Sequence, residues 1–340
     1  MKILFDLRNT GLGNGGGSIT LIKSANVLSN LGHDVIIIDG GRNQCTWTKL
    51  KVEHKIIKNI NSVPNSDVVI STGFRSIIPT LNLPDRCGKK LVWIRGWETW
   101  VYDEKKIIKL FKNECIIKIV NSIGLQNKLK KYNIDSYLIR PGNDFDDFSL
   151  MNIRNNKNIV LGGLYHTKHK TKWSDLVIDV AKKLKKKYKN IKLYMFGTPN
   201  NPNISVIDKY VSQPSIKEKN KFFNNIDIWL STSELEGLHI IPQEVMLTEC
   251  CIVGTNSKMG GTLDYLINKK TGLISNNNLN DFTDKVEILI KDKNLRNKLS
   301  INGRNKIITL GDRKNNMEKF VKLFVKLLEN KWMIFMYIFI

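Results

Sequence analysis

Apolar and polar residues along this chain alternate in short runs of two kinds. Continuous aliphatic and β-branched runs predict buried strands, and stretches with helical apolar spacing separate them. In the first half, strands are predicted at 2–7, 34–39, 67–71, 90–94, 115–120 and 136–140, and helices at 18–31, 103–113 and 122–132. Such alternation predicts an α/β fold in which helices cover both faces of a parallel sheet.

A second α/β series follows a polar stretch, PGNDFDDFSLMNIRNNKN, that has no periodicity and predicts a domain boundary. Its predicted strands are 158–163, 191–197, 227–233 and 251–255, and its predicted helices are 173–188, 239–249, 279–289, 292–308 and 314–330. We therefore expect three segments: a first Rossmann-like domain at 1–150, a second at 151–312, and a C-terminal helix with an apolar tail at 313–340. Two doubly wound domains would face each other across a ligand-binding cleft.

The composition restricts the cellular setting and the class of partner. The 340 residues carry a net charge of +23, which favours an anionic partner, although much of the excess is scattered lysine that also suits a solvated surface. The five cysteines show no C-x-x-C spacing, which favours a reducing cytoplasm. The first residues lack the apolar core of a signal peptide, and no segment has the ~20 uncharged apolar residues of a membrane span.

Two segments suggest contact with a membrane surface. Trp332–Ile340 is an apolar, aromatic tail behind a basic helix, and Lys105–Lys112 is basic and amphipathic. Both suit an anionic bilayer surface, so we expect a cytoplasmic protein with a peripheral position on the inner face of the membrane. A tail packed on the protein body and a solvated helix face explain the same patterns.

A glycine-rich stretch, GLGNGGGS, lies between the first predicted strand and the first helix. Glycines allow close backbone approach, and a helix N-terminus offers free N–H groups, so Gly15, Gly16 and Gly17 are expected to contact a phosphate or the acceptor. The stretch also fits the dinucleotide-binding motif G-x-G-x-x-G, with Asp39 as a ribose-binding acid. A nicotinamide-dependent sugar-nucleotide oxidoreductase is therefore one of the alternative functions. The extra residues 8–10 before the glycines argue against the tight dinucleotide turn.

A second turn carries two glutamates, Glu236 and Glu244, eight positions apart in ELEGLHIIPQE. A strand precedes the turn. Proline is tolerated only in the first turn of a helix, so the following helix should begin just before Pro242. Carboxylates accept hydrogen bonds from vicinal hydroxyls, while the amides of Gly237, Leu238, His239 and Ile240 can face an anion. This arrangement suits a nucleotide-sugar, with sugars on both sides of the phosphates. A Glu236 that only interacts favourably with the helix dipole and a solvated Glu244 would have the same spacing.

Two further motifs have competing interpretations. VWIRGWETW follows a strand and contains Arg95, Trp97 and Glu98, which we expect to form an acceptor wall, although a packed aromatic loop has the same composition. Asp144–Asp146 has the D-x-D form of a divalent-metal site. It falls at the domain boundary, so no metal site is predicted.

The second turn resembles the E-x7-E signature of retaining glycosyltransferases with the GT-B fold, of the family-4 type. The likeness continues through VMLTECCIVGT, Gly260-Gly261, Asp264 and TGLI, in the family's order. LGHDV and RPGND resemble its opening and its domain junction. The resemblance therefore covers most of the chain.

This resemblance implies a role for each matching residue. Glu236 would contact the donor sugar and Glu244 the ribose, and Lys172 would neutralise the diphosphate. The family's usual arginine is missing from YHTKHKTKW, where Lys168 or His166 would replace it. Asp264 stands where the family usually has glutamate.

The resemblance also implies the reaction. A sugar would move from a nucleotide-diphosphate donor to a glycan or lipid-linked acceptor with retention of configuration, in polysaccharide or glycolipid biosynthesis. Neither a cofactor nor a metal is implied. A basic nucleic-acid-binding protein is a weaker alternative, since no recognisable binding motif accompanies the charge.

Overall fold

The computed structural model describes residues 1–41, 44–151, 153–154, 157–167 and 170–338, apart from the side chains of residues 170 and 330–338. The chain divides into two compact units. Unit 1 comprises Met1–Gly142 and Arg313–Ile340, and unit 2 comprises Asn143–Asp312. The first boundary thus lies eight residues before the one expected from sequence, and the second coincides with the start of the C-terminal helix.

Unit 1 contains a parallel sheet. Its strands, within the described residues, are β1 (Lys2–Asp6), β2 (Asp34–Asp39), β3 (Glu53–Ile56), β4 (Val68–Ser71), β5 (Lys89–Ile94), β6 (Ile117–Val120) and β7 (Tyr137–Leu138). They run in the order β3-β2-β1-β4-β5-β6-β7. The order reverses at β1, so the β1 and β4 ends form the topological switch point where such sheets bind ligands.

Among the described residues of unit 1, four α-helices connect these strands: α1 (Gly16–Asn30), α2 (Phe74–Leu81), α3 (Glu104–Phe111) and α4 (Ile123–Lys130). Ser122 caps α4 by accepting a hydrogen bond from the Leu125 N–H, and Asp103 caps α3 through the Lys105 N–H. The N-cap residue of α1 is instead Gly15, which provides no side-chain cap. The N–H groups in its first turn therefore remain available to other partners.

Unit 2 has the same architecture. Its described strands are β8 (Ile159–Tyr165), β9 (Ile191–Gly197), β10 (Lys209–Ser212), β11 (Ile228–Ser231), β12 (Cys251–Thr255) and β13 (Leu273–Ser275), in the order β10-β9-β8-β11-β12-β13. Its helices are α5 (Ser174–Lys187), α6 (Ile216–Phe223), α7 (Ile240–Leu247), α8 (Leu279–Lys291) and α9 (Lys293–Leu310). The switch point lies between β8 and β11, next to the turn that carries Glu236.

The last helix, α10 (Arg313–Ile338), returns to unit 1. Met317, Phe320 and Phe324 are buried in the unit 1 core, and the Phe320 ring packs on Trp93 with the centroids 5.2 Å apart. The fold therefore has two Rossmann-like units and a C-terminal helix that crosses back to the first of them, which is the organisation of the GT-B fold that the resemblance implies. The predicted apolar tail is Trp332–Ile340, and its side chains lie outside the part of the chain that the structure describes.

Five elements were not predicted from the sequence: β3, β10, β13, α2 and α6. β3 and β10 are edge strands with mixed polarity, EHKI and KYVS, so they lack the apolar run of a central strand. α2 has only eight residues and contains Pro79, which is unfavourable inside a helix, so its sequence is not typical of a helix. Among the described residues, no helix is both long and apolar enough to cross a bilayer.

Candidate active site

The turn between β11 and α7 carries the two glutamates of ELEGLHIIPQE. Glu236 lies in the loop after β11, and Glu244 lies within α7, where Pro242 occupies the first turn. A proline is tolerated there because the first-turn N–H groups have no partner within the helix. The turn follows the carboxyl end of a central strand, which is where doubly wound sheets bind ligands.

Glu236 is the centre of a cluster of polar side chains. Its side chain is 15% exposed and accepts a hydrogen bond from the Lys172 ammonium, while Oε1 lies 3.7 Å from His239 Nε2. Burial opposes ionisation of Glu236, but His239 and Lys172 outweigh it and lower the pKa of the carboxyl group. Glu236 is therefore a carboxylate with one oriented cation beside it.

His239 is a neutral imidazole at the start of α7. It is 7% exposed, and its Nδ1 lies 3.2 Å from Ser231 Oγ. Burial lowers the pKa of His239 to about 4, despite the opposing charge of Glu236. The cation beside Glu236 at neutral pH is therefore Lys172. The His239 N–H donates to the Gly261 carbonyl at 3.2 Å, so this amide is engaged rather than directed at a phosphate as expected.

The loop that holds Glu236 is fixed by the segment after β12. Ser257 Oγ accepts a hydrogen bond from the Glu236 N–H at 2.9 Å and lies 3.1 Å from the Glu236 carbonyl oxygen. Gly261 packs so closely that a Cβ there would lie 2.3 Å from the Glu236 carbonyl oxygen. These contacts hold the Glu236 backbone in one position, a prerequisite for a precise site.

A second set of contacts fixes the lysine. Thr232 Oγ1 donates to the Lys172 carbonyl at 2.8 Å, and the Glu234 N–H donates to the Thr171 carbonyl at 2.9 Å. Trp173 follows in the left-handed region, with φ 51°, as the N-cap residue of α5. Lys172 and Glu236, distant in sequence, are thus joined through backbone as well as side chains.

The other cationic candidates have different positions. The His166 N–H donates to Ser174 Oγ at 2.9 Å, which places His166 at the carboxyl end of β8. Lys168 lies outside the described residues. Lys172 is consequently the cation that the described structure brings to Glu236.

Glu244 has a partner that its sequence position did not suggest. Its Oε2 lies 2.7 Å from Lys219 Nζ on α6, and both side chains are largely buried, at 14% and 20% exposed. The same ammonium group lies 5.1 Å from the centre of the Phe148 ring. Nothing in the spacing of Lys219 and Glu244 links them, since α6 was not itself predicted.

The predicted acceptor residues of unit 1 separate into two groups. Arg95 lines a cavity with the glycine-rich loop, where its guanidinium group donates to the Gly17 carbonyl. Glu98 accepts a hydrogen bond from the Phe74 N–H at 3.1 Å, and burial raises the pKa of its carboxyl group. Gly15 caps α1, while Gly16 and Gly17 are its first two residues.

Trp97 is a correction to the predicted acceptor wall. It is 3% exposed, and its ring stacks on Tyr132 with the planes 6° apart. Its indole N–H donates to Glu104 at 2.9 Å. The ring faces the unit 1 core, so the packed-loop interpretation holds for Trp97 and a sugar does not stack on it.

The structure does not favour nicotinamide binding at the glycine-rich loop. Asp39 is fully buried, and its Oδ2 lies 2.7 Å from His54 Nε2, so the proposed ribose-binding acid already has a partner. Nine residues separate β1 from α1, and Gly16 lies inside the helix rather than in a tight turn before it. The tight dinucleotide geometry is therefore not present.

Residues 152–306 match the family model described as glycosyl transferases group 1. Unit 2 is a group 1 glycosyl transferase domain. The match contains Glu236, Glu244 and Lys172, so the cluster described above lies within this group 1 domain.

Two curated relatives are glycosyltransferases from Staphylococcus aureus. The capsular polysaccharide biosynthesis glycosyltransferase CapM is 30% identical over 34% of this chain and 28% of its own length. The poly(ribitol-phosphate) alpha-N-acetylglucosaminyltransferase of strain COL is 29% identical over 45% of this chain and 33% of its own length. The matches thus span about a third of these relatives.

The whole fold is shared with solved structures. The crystal structure of Anabaena Alr3699/HepE in complex with UDP superposes with a TM-score of 0.79 over 96% of this chain and 100% of that chain. The sequence identity is 12%, so this likeness concerns the fold. It supports the GT-B assignment for both units.

Proposed function

We propose that this protein is a glycosyltransferase that moves a sugar from a nucleotide-diphosphate donor to a glycan or lipid-linked acceptor. The observation that carries the proposal is the Lys172–Glu236 pair beside the start of α7, within the group 1 domain. Retention of configuration, independence of metal and cofactor, and a role in cell-surface polysaccharide or glycolipid synthesis form part of the proposal.

Each charged group has a separate task in this proposal. Glu236 accepts hydrogen bonds from the donor-sugar hydroxyls and orients the ring. Lys172 and the free N–H groups at the start of α7 stabilise the charge that develops on the leaving diphosphate. Because these groups are positioned before the donor binds, little reorganisation is needed in the transition state.

Glu244 contacts the ribose hydroxyls of the donor. It lies within α7, eight positions after Glu236 in the chain, so the nucleoside and the sugar flank the phosphates at the helix start. Lys219 orients the Glu244 carboxylate, since its ammonium group lies 2.7 Å away. The named UDP complex of Alr3699/HepE supports a nucleotide ligand for this fold.

The proposed chemical step is a front-face displacement. The bond from the anomeric carbon to the diphosphate oxygen breaks, and a bond to the acceptor hydroxyl oxygen forms on the same face. The acceptor proton passes to the leaving phosphate oxygen, so no protein base is required. His239 is neutral and does not act as the proton donor in this scheme, because the pKa of its imidazole is about 4.

The relatives suggest the class of acceptor. One is named for capsular polysaccharide biosynthesis and the other for transfer of N-acetylglucosamine to poly(ribitol-phosphate). We therefore propose a surface glycan or its lipid-linked precursor as the acceptor. A peripheral position on an anionic membrane surface would bring the protein to such a precursor, and a cytoplasmic location would bring it to the donor.

The first experiment is a thermal-stability screen against common nucleotide-sugars, followed by transfer assays with EDTA present. A ligand at 100 times its Kd raises the free energy of unfolding by about 2.7 kcal/mol, which is easily measured. We expect one nucleotide-sugar to stabilise the protein and to be turned over in EDTA. If NAD stabilises the protein and none of the nucleotide-sugars does, the result favours the oxidoreductase alternative over the proposed function.

A further inference from the structure

His239 has a side chain that the proposed front-face displacement does not use. It is the N-cap residue of α7, and its side chain makes no capping hydrogen bond to the helix. The imidazole is nevertheless buried next to Glu236 at the start of this helix. Burying a polar ring costs free energy unless its nitrogen atoms have hydrogen-bond partners, so the surroundings of both nitrogens indicate what the ring does.

The neighbours of the imidazole determine which nitrogen carries its proton. Nδ1 lies 3.2 Å from Ser231 Oγ, and Nε2 lies 3.7 Å from Glu236 Oε1. Because a carboxylate favours a proton on the nitrogen that faces it, the neutral ring carries its hydrogen on Nε2, and Nδ1 accepts from the Ser231 hydroxyl. Burial lowers the pKa of His239 to about 4, so the ring keeps this single proton at neutral pH.

The Nε2–H group and the Glu236 carboxylate have the right separation to bind one further group together. The 3.7 Å between Nε2 and Oε1 is longer than a hydrogen bond. A hydroxyl oxygen beside both atoms can accept from Nε2–H and donate its own hydrogen to the carboxylate. A phosphate oxygen can only accept, and the carboxylate would repel it. The pair therefore favours a hydroxyl group over a phosphate.

Lys172 is compatible with a hydroxyl at this position. Its ammonium group also donates to Glu236 Oε1, but a carboxylate oxygen has two lone pairs and accepts from a second donor as well. Lys172 and His239 line a common cavity of about 10 Å³ at the end of β11, which is the space of about one water-sized group. A single hydroxyl group fits this space, and a whole sugar ring does not.

The backbone on both sides of the imidazole is fixed. The His239 N–H donates to the Gly261 carbonyl at 3.2 Å, and the His239 carbonyl accepts from Gln243 Nε2 at 3.2 Å. Gln243 is buried and itself accepts from Asn143 Nδ2 at 3.0 Å. Since Ser231 also holds Nδ1, the direction of Nε2 is set before a ligand binds, as selection of one hydroxyl requires.

We propose that the His239 imidazole determines donor specificity by donating a hydrogen bond from Nε2 to one hydroxyl of the donor sugar, which in turn donates to Glu236. This inference rests on the proposed function and adds a second side chain to the recognition of the sugar. A donor that lacks this hydroxyl, or carries it in the opposite orientation, leaves both protein groups without a partner. Such a donor is therefore rejected.

The test measures binding to the full chain by calorimetry. The probes are UDP-glucose, UDP-galactose, UDP-N-acetylglucosamine and GDP-mannose, and UDP and GDP represent the nucleotide without a sugar. The monodeoxy forms of the probe that binds most tightly then identify the recognised hydroxyl. We expect the removal of one hydroxyl to weaken binding roughly 10-fold or more, because it leaves a buried donor and acceptor unsatisfied.

Two variants of similar size separate Nε2 from Nδ1. His239→Gln places an amide N–H near the position of Nε2 and should retain most of the preference for the recognised hydroxyl. His239→Asn reaches only the position of Nδ1, so this preference should decrease roughly 3- to 10-fold. His33→Asn, which replaces a histidine between α1 and β2, is the control and should leave the preference unchanged.

Thermal unfolding shows whether each variant is folded. If His239→Asn is not, Ser231→Ala tests the same hydrogen bond, because it removes the partner that orients the imidazole. It should reduce the preference for the recognised hydroxyl in the same direction.

The affinity for UDP or GDP alone separates the sugar from the diphosphate. It should be the same in wild type and in the His239 variants, since the proposed contact is with the sugar. An equal loss of affinity for the nucleotide alone and for the nucleotide-sugar would overturn the inference, and so would an unaltered hydroxyl preference in folded His239→Asn. If the wild-type protein binds none of the nucleotide-sugars, the proposed function fails and the inference fails with it.

Discussion

The Lys172 ammonium group forms a salt bridge with the Glu236 carboxylate, and the two side chains are only 24% and 15% exposed. The pair joins the end of the loop after β8 to the loop after β11, across the switch point of the unit 2 sheet. A donor sugar that binds Glu236 and a diphosphate that binds Lys172 would therefore share one preformed ion pair. Replacement of either side chain should therefore impair transfer.

Replacing Glu236 with glutamine should reduce transfer roughly 10- to 100-fold, because a charged hydrogen-bond acceptor is worth about 1.5–3 kcal/mol. Turnover should fall more than donor affinity, which steady-state kinetics and calorimetry measure separately. The matched control is Glu234→Gln, since Glu234 pairs with Lys258, a side chain that is 67% exposed. Equal activity of the two variants would remove Glu236 from the proposed site.

Replacing Glu244 with glutamine should affect recognition of the ribose. We expect the nucleotide to bind about tenfold more weakly, as loss of about 1.4 kcal/mol implies. The preference of the protein for the nucleotide over its 2′-deoxy analogue should also decrease, which competition calorimetry can measure. Glu249→Gln, which alters a neighbouring carboxylate paired with Arg304, should leave this preference unchanged.

Gly261→Ala should disturb the loop that holds Glu236. The new Cβ would lie 2.3 Å from the Glu236 carbonyl oxygen, so the backbone must move, and we expect a loss of ~1–3 kcal/mol in the free energy of unfolding. Transfer should fall as well. Gly40→Ala is the control, because a Cβ there meets no atom within 4 Å. Urea unfolding that shows equal stability for the two variants would contradict this packing.

His239 should make the stability of the protein pH-dependent in mildly acidic solution. Its pKa is lowered from 6.5 to about 4 in the folded protein, so between these values the unfolded state binds more protons. The free energy of unfolding should therefore increase as the pH rises from about 4 to 6.5 and then level off. His239→Asn should show a smaller increase over this range in urea titrations, and an identical slope would mean that another group causes it.

Trp97 should contribute to stability rather than to acceptor binding. Trp97→Ala removes a ring that is 3% exposed and should lower the free energy of unfolding by about 3–5 kcal/mol. Trp100 is 59% exposed, so Trp100→Ala should lower it far less. Thermal unfolding of the two variants measures the difference. The conservative Trp97→Phe should retain acceptor affinity, and a selective loss of that affinity in a stable variant would restore the predicted acceptor role.

Several features of the fold could be predicted from short-range pattern. The central strands are nearly continuous apolar runs because parallel strands covered on both faces need apolar side chains everywhere, and DVIIID and CIVGT illustrate this. Edge strands such as EHKI lack that requirement, so β3 could not be distinguished from a loop. The helix α6 was missed because its eight residues carry too few apolar positions to define a period.

The candidate site depended on both kinds of information. The sequence alone determined that Glu236 and Glu244 flank a helix start, because the strand, the glycine turn and Pro242 are all local signals. Only the tertiary structure brought Lys219 to Glu244, enclosed His239 so that its imidazole is neutral, and turned Trp97 into the core. Pairing and burial of this kind depend on how separate elements pack together, which neighbouring residues in the chain do not specify.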